Sequence, residues 1–211
     1  MPGGFCVSTG EFINISPGAD YEQRLEDAIL DLEINTGEED LECIVETARM
    51  SMSPTACDEK LAEDMYNLTL RRQDTLEKIL HETSDDGEIR ISFGIDNTLY
   101  NFLIRTFQFI IFHHPIIEAI NSDALRIHPT DNWMVAKVSQ GSLSITAYKD
   151  KKLQVANCIE TMITQNKAYH LLNIWTKLEL DVLNDTLYII GDERDVSTLK
   201  NSVSKFIKKC E

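Results

Sequence analysis

The chain has 211 residues, of which 43% are hydrophobic and 26% charged, and its formal net charge is −15. This composition is typical of a globular protein with one large domain or two small ones. The strong negative charge disfavours phosphate backbones and anionic membrane surfaces, because binding to them depends on Lys and Arg. We therefore expect no membrane partner, and we favour a protein partner with a basic or apolar surface.

The negative charge is concentrated in the first 90 residues, which hold 22 Asp and Glu against 7 Lys and Arg, whereas the rest of the chain is neutral. The change falls at Ser84–Gly87, where the hydrophobic pattern also turns from helical to strand-like spacing. This predicts a flexible lead-in over 1–19, an acidic helical module over 20–84 and an α+β domain over 88–211.

The N-terminal residues contain no positively charged region followed by an apolar run, so no secretion signal is predicted. The five cysteines are odd in number and widely spaced, without a Cys-x-x-Cys pair. We interpret them as reduced thiols, and we expect a cytoplasmic or nuclear location.

Apolar residues at helical spacing predict three helices in the acidic module. The first begins near Asp20, and the second begins at a capping box formed by Thr36 and Glu39. The third runs from about Thr55 to Glu82. Because the connections between them are short, we expect an antiparallel bundle whose acidic residues face solvent.

Alternating apolar residues after Gly87 predict a strand, and an apolar helix is predicted at 98–112. The segments 133–165 and 177–209 then share a strand–strand–helix pattern, with a tight turn at Gln140-Gly141 in the first. A duplication and two independently formed units both fit this pattern.

The resulting order, β-α-β-β-α-β-β-α, predicts a ferredoxin-like core with an extra strand and helix on an antiparallel sheet. The complete expected fold is α+β, with the acidic helical bundle packed on this C-terminal domain. The apolar helix at 98–112 needs a cover, which the bundle or a second copy of the chain would supply.

The sequence contains no glycine-rich phosphate loop, no nucleophile elbow and no metal-ligand spacing. The adjacent His113 and His114 are interpreted as the end of the apolar helix, where the helix dipole favours an imidazolium. Asp195 is interpreted as the cap of the last helix. We therefore expect a protein that is not an enzyme and that uses neither a cofactor nor a metal.

The densest acidic patch is predicted at the start of the second helix, where it either stabilises the helix or binds a basic partner. Its members are Glu38, Glu39, Asp40, Glu42 and Glu46. The favoured hypothesis is a non-enzymatic interaction protein, an adaptor, assembly subunit or regulator that uses this acidic surface.

The alternative hypothesis is an RNA- or DNA-binding protein that uses the neutral C-terminal domain. The cluster Lys149, Lys151 and Lys152 is its candidate contact. These lysines are predicted to open a helix, where positive charge is unfavourable, so they call for another explanation.

Overall fold

A computed structural model describes residues 4–6, 12–14, 21–31, 41–70, 76–124 and 127–211. The first elements are β1 (Gly4–Cys6), β2 (Phe12–Asn14), α1 (Tyr21–Asp31), β3 (Leu41–Ile44), β4 (Met50–Pro54), α2 (Glu59–Leu70), β5 (Glu77–Thr83) and β6 (Ile89–Asp96). The next are α3 (Asn97–Thr106), β7 (Ile110–His113) and α4 (Pro115–Ala124). The last are β8 (Trp133–Val138), β9 (Ser142–Lys149), β10 (Lys152–Glu160), α5 (Thr164–Lys177), β11 (Thr186–Gly191), α6 (Glu193–Val203) and β12 (Lys209–Cys210). The α+β class is confirmed.

β6 is the central strand of a three-stranded antiparallel sheet with the order β4-β6-β5. Ile91 and Phe93 on one face of β6 pack against Ile116 and Ile120 of α4. α2 packs against β4 and β6. Because α4 and α2 cover the two faces of β6, the residues from Ile91 to Ile95 are all buried.

β5 and β6 form a hairpin whose turn is Ser84–Gly87. Gly87 has a φ of +72°, a conformation that favours glycine. Asp86 Oδ1 accepts hydrogen bonds from Ser84 Oγ and from the Glu88 amide, at 2.5 and 2.9 Å. The predicted boundary between the two modules therefore falls in a turn between two paired strands.

The C-terminal sheet has the order β10-β9-β8-β11-β12. β8, β9 and β10 form an antiparallel meander, whereas β11 runs parallel to both β8 and β12. α5 and α6 cover one face, where Leu171, Trp175 and Leu199 pack against Met134 and Ala136. α4 covers part of the other face. α4 therefore packs between the two sheets.

The predicted acidic helical bundle is wrong. α1 matches the first predicted helix, but the second lies where β3 and β4 form, and the third ends at Leu70, before β5 begins at Glu77. β3 pairs in parallel with β7, and β4 pairs with β6. Pairing with distant strands overrides the local helical spacing here. The predicted lead-in contains β1 and β2, which pair with each other, and its other residues lie outside the described ones.

The ferredoxin-like core and the two strand–strand–helix units are also wrong. Segment 133–165 forms the three strands β8, β9 and β10 before α5 begins, so the predicted helix around Val155 and Ile159 is a strand. Segment 177–209 contains the end of α5, then β11 and α6. The hairpin at Gln140-Gly141, by contrast, is confirmed.

The predicted helix at 98–112 divides into α3 and β7. Asp96 caps α3 by accepting a hydrogen bond from the Leu99 amide at 3.0 Å, and the extended backbone of Phe107 ends the helix. The β-branched pair Ile110 and Ile111 then enters a strand. Among the described residues, no helix has both the length and the apolar character needed to cross a membrane.

Candidate functional site

The carboxyl ends of β8 and β11 meet at one edge of the five-stranded sheet, because these strands are parallel and pair Val138 with Gly191. In α/β proteins, ligand sites form outside the carboxyl ends of parallel strands. The turn Ser139–Ser142 follows β8, and α6 begins at Glu193 after β11. This edge is therefore the candidate functional site.

The turn Ser139–Ser142 is closed by its own hydrogen bonds. The Ser139 amide donates to the Ser142 carbonyl at 3.2 Å, and the Ser142 amide donates to Ser139 Oγ at 3.2 Å. The Gly141 carbonyl accepts from the Thr161 amide at 2.9 Å. The turn consequently presents two serine hydroxyls next to each other, with their oxygens 3.1 Å apart.

Glu46, in the connection between β3 and β4, binds both of these hydroxyls. Its Oε2 accepts hydrogen bonds from Ser139 Oγ at 2.6 Å and from Ser142 Oγ at 3.0 Å. Hydrogen bonds to an ionised acceptor are the stronger kind. A solvent-exposed carboxylate of the chain itself therefore engages both hydroxyls.

Lys167, in the first turn of α5, holds the other side of the turn. The side chain is buried, and Nζ donates to the Ser139 carbonyl and, at 3.0 Å, to the Gln140 carbonyl. Burial lowers the pKa of this ammonium group, while the Asp195 and Glu46 carboxylates act in the opposite direction. The lysine is thus engaged by turn carbonyls.

Gly191, at the end of β11, is required by the close approach of β8. A Cβ atom at this position would lie 2.1 Å from the Val138 carbonyl oxygen, and the φ of +147° is one that other residues rarely adopt. The two strand ends that form this edge are therefore held close together by a residue without a side chain.

The residues after Glu46 continue the contact with the C-terminal sheet. Glu160, at the end of β10, accepts hydrogen bonds from the Ala48 amide at 2.9 Å and from Thr47 Oγ1 at 3.3 Å. The Thr47 carbonyl accepts from His114 Nε2 at 3.1 Å. We call Glu46–Ala48, with these partners in the C-terminal half, the 46–48 joint.

His114, at the start of α4, is fully buried in this joint. Its Nδ1 accepts a hydrogen bond from the Ile116 amide at 3.2 Å, so the proton of the neutral ring is on Nε2, which faces the Thr47 carbonyl. Burial lowers the pKa of His114 to about 4, and the bond to Thr47 opposes that change. The imidazole is neutral at physiological pH.

The predicted acidic patch is divided by the structure. Glu38, Glu39 and Asp40 lie outside the described residues. Glu42 is exposed on β3, opposite Ile111 of β7, whereas Glu46 is bonded to Ser139 and Ser142. The prediction that these acids open a helix is wrong, because Leu41–Ile44 is a strand.

The predicted lysine cluster lies in the hairpin turn between β9 and β10, where Asp150 and Lys151 both have positive φ, and opens no helix. Lys149 Nζ donates to the Leu178 carbonyl at 2.9 Å, at the end of α5. Lys151 Nζ lies 3.1 Å from Asp131 Oδ1, and Lys152 is exposed. Two of the three lysines thus contact their own chain.

The two adjacent histidines join β7 to α4, so the prediction that they end a helix is wrong. Glu82 on β5 bridges them: its Oε1 lies 2.7 Å from His113 Nδ1, and its Oε2 accepts from the His114 amide at 2.6 Å. Asp195 lies in the first turn of α6, and Asp192 occupies the cap position. No three His, Cys, Asp or Glu side chains in the described part of the chain group as metal ligands.

Comparison with solved structures defines the fold. The chain is similar to a Bacteroides thetaiotaomicron protein described as having an actin-like ATPase fold and unknown function, with 22% identity, a TM-score of 0.76, and coverage of 95% of this chain and 79% of the other. It is also similar to the PilM-PilN type IV pilus biogenesis complex, with 8% identity, a TM-score of 0.50, and coverage of 95% and 82%. The fold is therefore actin-like, which overturns the predicted bundle on a ferredoxin-like domain.

Sequence comparison places the chain in a family. The model of the DUF3822 family, described as a protein of unknown function, matches residues 11–210. The chain belongs to this family. No protein with a curated description matches it.

Proposed function

We propose that this DUF3822 protein is a non-enzymatic protein–protein interaction protein, an assembly subunit built on an actin-like fold. The observation that carries the proposal is the contact of Glu46 with Ser139 and Ser142. This contact satisfies the hydroxyls of the turn at the carboxyl ends of β8 and β11 from within the chain.

The charges at the same edge also support the proposal. Glu46 and Glu160 reach the edge from β3–β4 and β10, and Glu193 and Asp195 begin α6. Lys167, a nearby cation, is engaged by the Ser139 and Gln140 carbonyls, and a second lysine, Lys200, lines a cavity with Gly191 and Glu193. A nucleotide phosphate at this edge would meet carboxylates, and like charges in close contact are unfavourable.

One of the structurally similar proteins supports a role in protein assembly. The PilM-PilN structure is a pilus biogenesis complex, so a chain with a similar fold takes part in a multi-protein assembly. An acidic protein of net charge −15 fits a basic protein partner better than nucleic acid. The contacts of Lys149 and Lys151 with their own chain also weaken the case for nucleic acid.

The proposal is tested by measuring phosphate release from ATP with the full chain and Mg²⁺, at ATP concentrations up to about 1 mM, the upper end of common KM values. We expect no release above a protein-free control, both for the natural chain and for Glu46→Ala. ATP turnover that Lys167→Ala abolishes, with Lys208→Ala as the matched control, would overturn the proposal.

A further inference from the structure

β3 and β7 form a two-stranded parallel sheet with one exposed face. The register pairs Glu42 with Ile111 and Ile44 with His113. Ile44 and Ile111 are 49% and 56% exposed, and paired residues on parallel strands point to the same side. This side of the sheet consequently faces solvent with large apolar side chains.

The exposed apolar surface continues into the segment that joins α3 to β7. Phe109 is 58% exposed and Ile104 of α3 is 44% exposed, and both line a shallow groove with Ile110 and Ile111. Buried Phe107 also lines the groove. We call Glu42, Ile44, Ile104, Phe109 and Ile111 the β3–β7 face.

The opposite side of the same two strands is in the core. Val45 and Phe112 pack against the cluster that contains Phe93 and Ile116. The sheet is therefore fixed to the core on one side, and its other side exposes Ile44 and Ile111 beside Glu42 and His113. Contiguous exposed apolar residues on a folded protein mark interaction sites, whereas single ones need no explanation.

The charge around the β3–β7 face favours a basic partner over a second copy of the chain. Glu42 stands directly beside Ile111, and the sequence places Glu38, Glu39 and Asp40 just before β3. Two copies joined through this face would bring their Glu42 side chains close together while each chain carries a net charge of −15. A segment with both apolar and basic side chains would fill the groove and pair with Glu42.

We propose that the β3–β7 face binds a basic amphipathic segment of a partner protein. This inference rests on the proposed role in protein assembly and names the surface and the chemistry of the partner. The apolar side chains of the segment would cover Ile44, Phe109 and Ile111, and its Lys or Arg would approach Glu42.

The test is a titration of the full ¹⁵N-labelled chain with a synthetic amphipathic peptide of leucine and lysine, followed by amide chemical shifts. The matched probe replaces each lysine by glutamate. We expect shift changes that map to residues 42–44 and 104–113 with the lysine peptide and none with the glutamate peptide. Changes centred elsewhere would overturn the inference.

Two pairs of variants separate specific binding from general attraction of a cation to an acidic protein. Glu42→Lys and Ile111→Ser should each weaken peptide binding about tenfold, as expected for contacts at the centre of an interface. Glu88→Lys makes the same change, and Leu183→Ser a comparable one, at exposed positions elsewhere, and both should leave affinity within about twofold. Equal weakening by Glu42→Lys and Glu88→Lys would contradict the inference.

Raising the concentration of the protein without peptide tests whether a second copy of the chain occupies the β3–β7 face. If the amides of the β3–β7 face shift as protein concentration rises, a second copy occupies it and the inference is overturned. Failure of this inference is distinguishable from failure of the proposed function, because ATP turnover is measured without any peptide and concerns the carboxyl edge of β8 and β11, whereas the peptide titration follows the amides of the β3–β7 face.

Discussion

Glu46 accepts a 2.6 Å hydrogen bond from Ser139, a residue 93 positions later in the chain. The bond connects the segment between β3 and β4 with the turn at the carboxyl end of β8. Because Ser142 donates to the same carboxylate oxygen, the pair fixes both sides of the turn. This relationship underlies the proposal that no nucleotide binds at that edge, and its contribution to stability can be measured by mutation.

The energy of the Glu46–Ser139 bond can be isolated by a double-mutant cycle. Glu46→Ala and Ser139→Ala should each lower the free energy of unfolding by about 1 kcal/mol, and the double variant should lose less than their sum. Urea denaturation gives all four values. The matched control is Glu88→Ala, which with Ser139→Ala should show additive losses. Additive losses for Glu46 and Ser139 as well would mean that the two side chains do not interact in solution.

Gly191→Ala should destabilise the protein strongly. The added methyl group would overlap the Val138 carbonyl, so β8 and β11 must separate, and we expect a loss of about 3 kcal/mol or more. Gly141→Ala is the matched control, because a Cβ at Gly141 has no neighbour within 4 Å. Thermal and urea unfolding of the two variants compare them directly. Similar losses at both glycines would argue against the close approach.

Stability should fall on acidification because His114 is buried in its neutral form. The folded chain binds this proton near a pKa of about 4, whereas an unfolded His binds it near 6.5. Between these values the unfolded state binds more protons, so the stabilisation present above pH 6.5 is lost as pH falls towards 4. The full effect is about 3 kcal/mol.

His114→Asn provides the comparison for this pH dependence. The variant should be less stable overall, since it changes the bond to the Thr47 carbonyl, but its stability should vary less between pH 6.5 and 4. Urea unfolding of both proteins at several pH values gives the difference. Parallel pH profiles would mean that another group causes the acid sensitivity.

Lys151→Gly should stabilise the hairpin between β9 and β10. Lys151 has a φ of +61°, which glycine adopts without the usual steric cost of about 1 kcal/mol or more. The substitution also removes the surface ion pair with Asp131, which contributes less than this steric cost. Lys152→Gly, within β10, is the control and should destabilise. A lower melting temperature for Lys151→Gly would contradict the prediction.

The local spacing of apolar residues was sufficient to predict some strands of this fold. Met134, Ala136 and Val138 alternate in β8, Leu143 and Ile145 alternate in β9, and all five are buried. Val135 and Ser144 between them are buried as well, because both faces of this sheet are covered. The connection between these strands at Gln140-Gly141 is short enough to predict a hairpin turn. The sequence therefore predicted the turn of the candidate site without indicating what contacts it.

Pairing between strands that are distant in sequence could not be predicted from local spacing. Val155 and Ile159 have helical spacing, but hydrogen bonds to β9 make their segment a strand. β3 becomes a strand through β7, which is distant in sequence. Glu46 is exposed to solvent, as expected for the predicted acidic patch, but nothing local in the sequence identifies Ser139 and Ser142 as its partners.

The central claim is that the carboxyl edge of β8 and β11 does not bind a nucleotide, and the free energy of unfolding with and without MgATP tests it most directly. A ligand that binds the folded state raises this free energy by about 2.7 kcal/mol at one hundred times its Kd. We predict no change for the natural chain at MgATP concentrations up to about 1 mM. A rise of about 1 kcal/mol or more that Lys167→Ala removes would contradict the account.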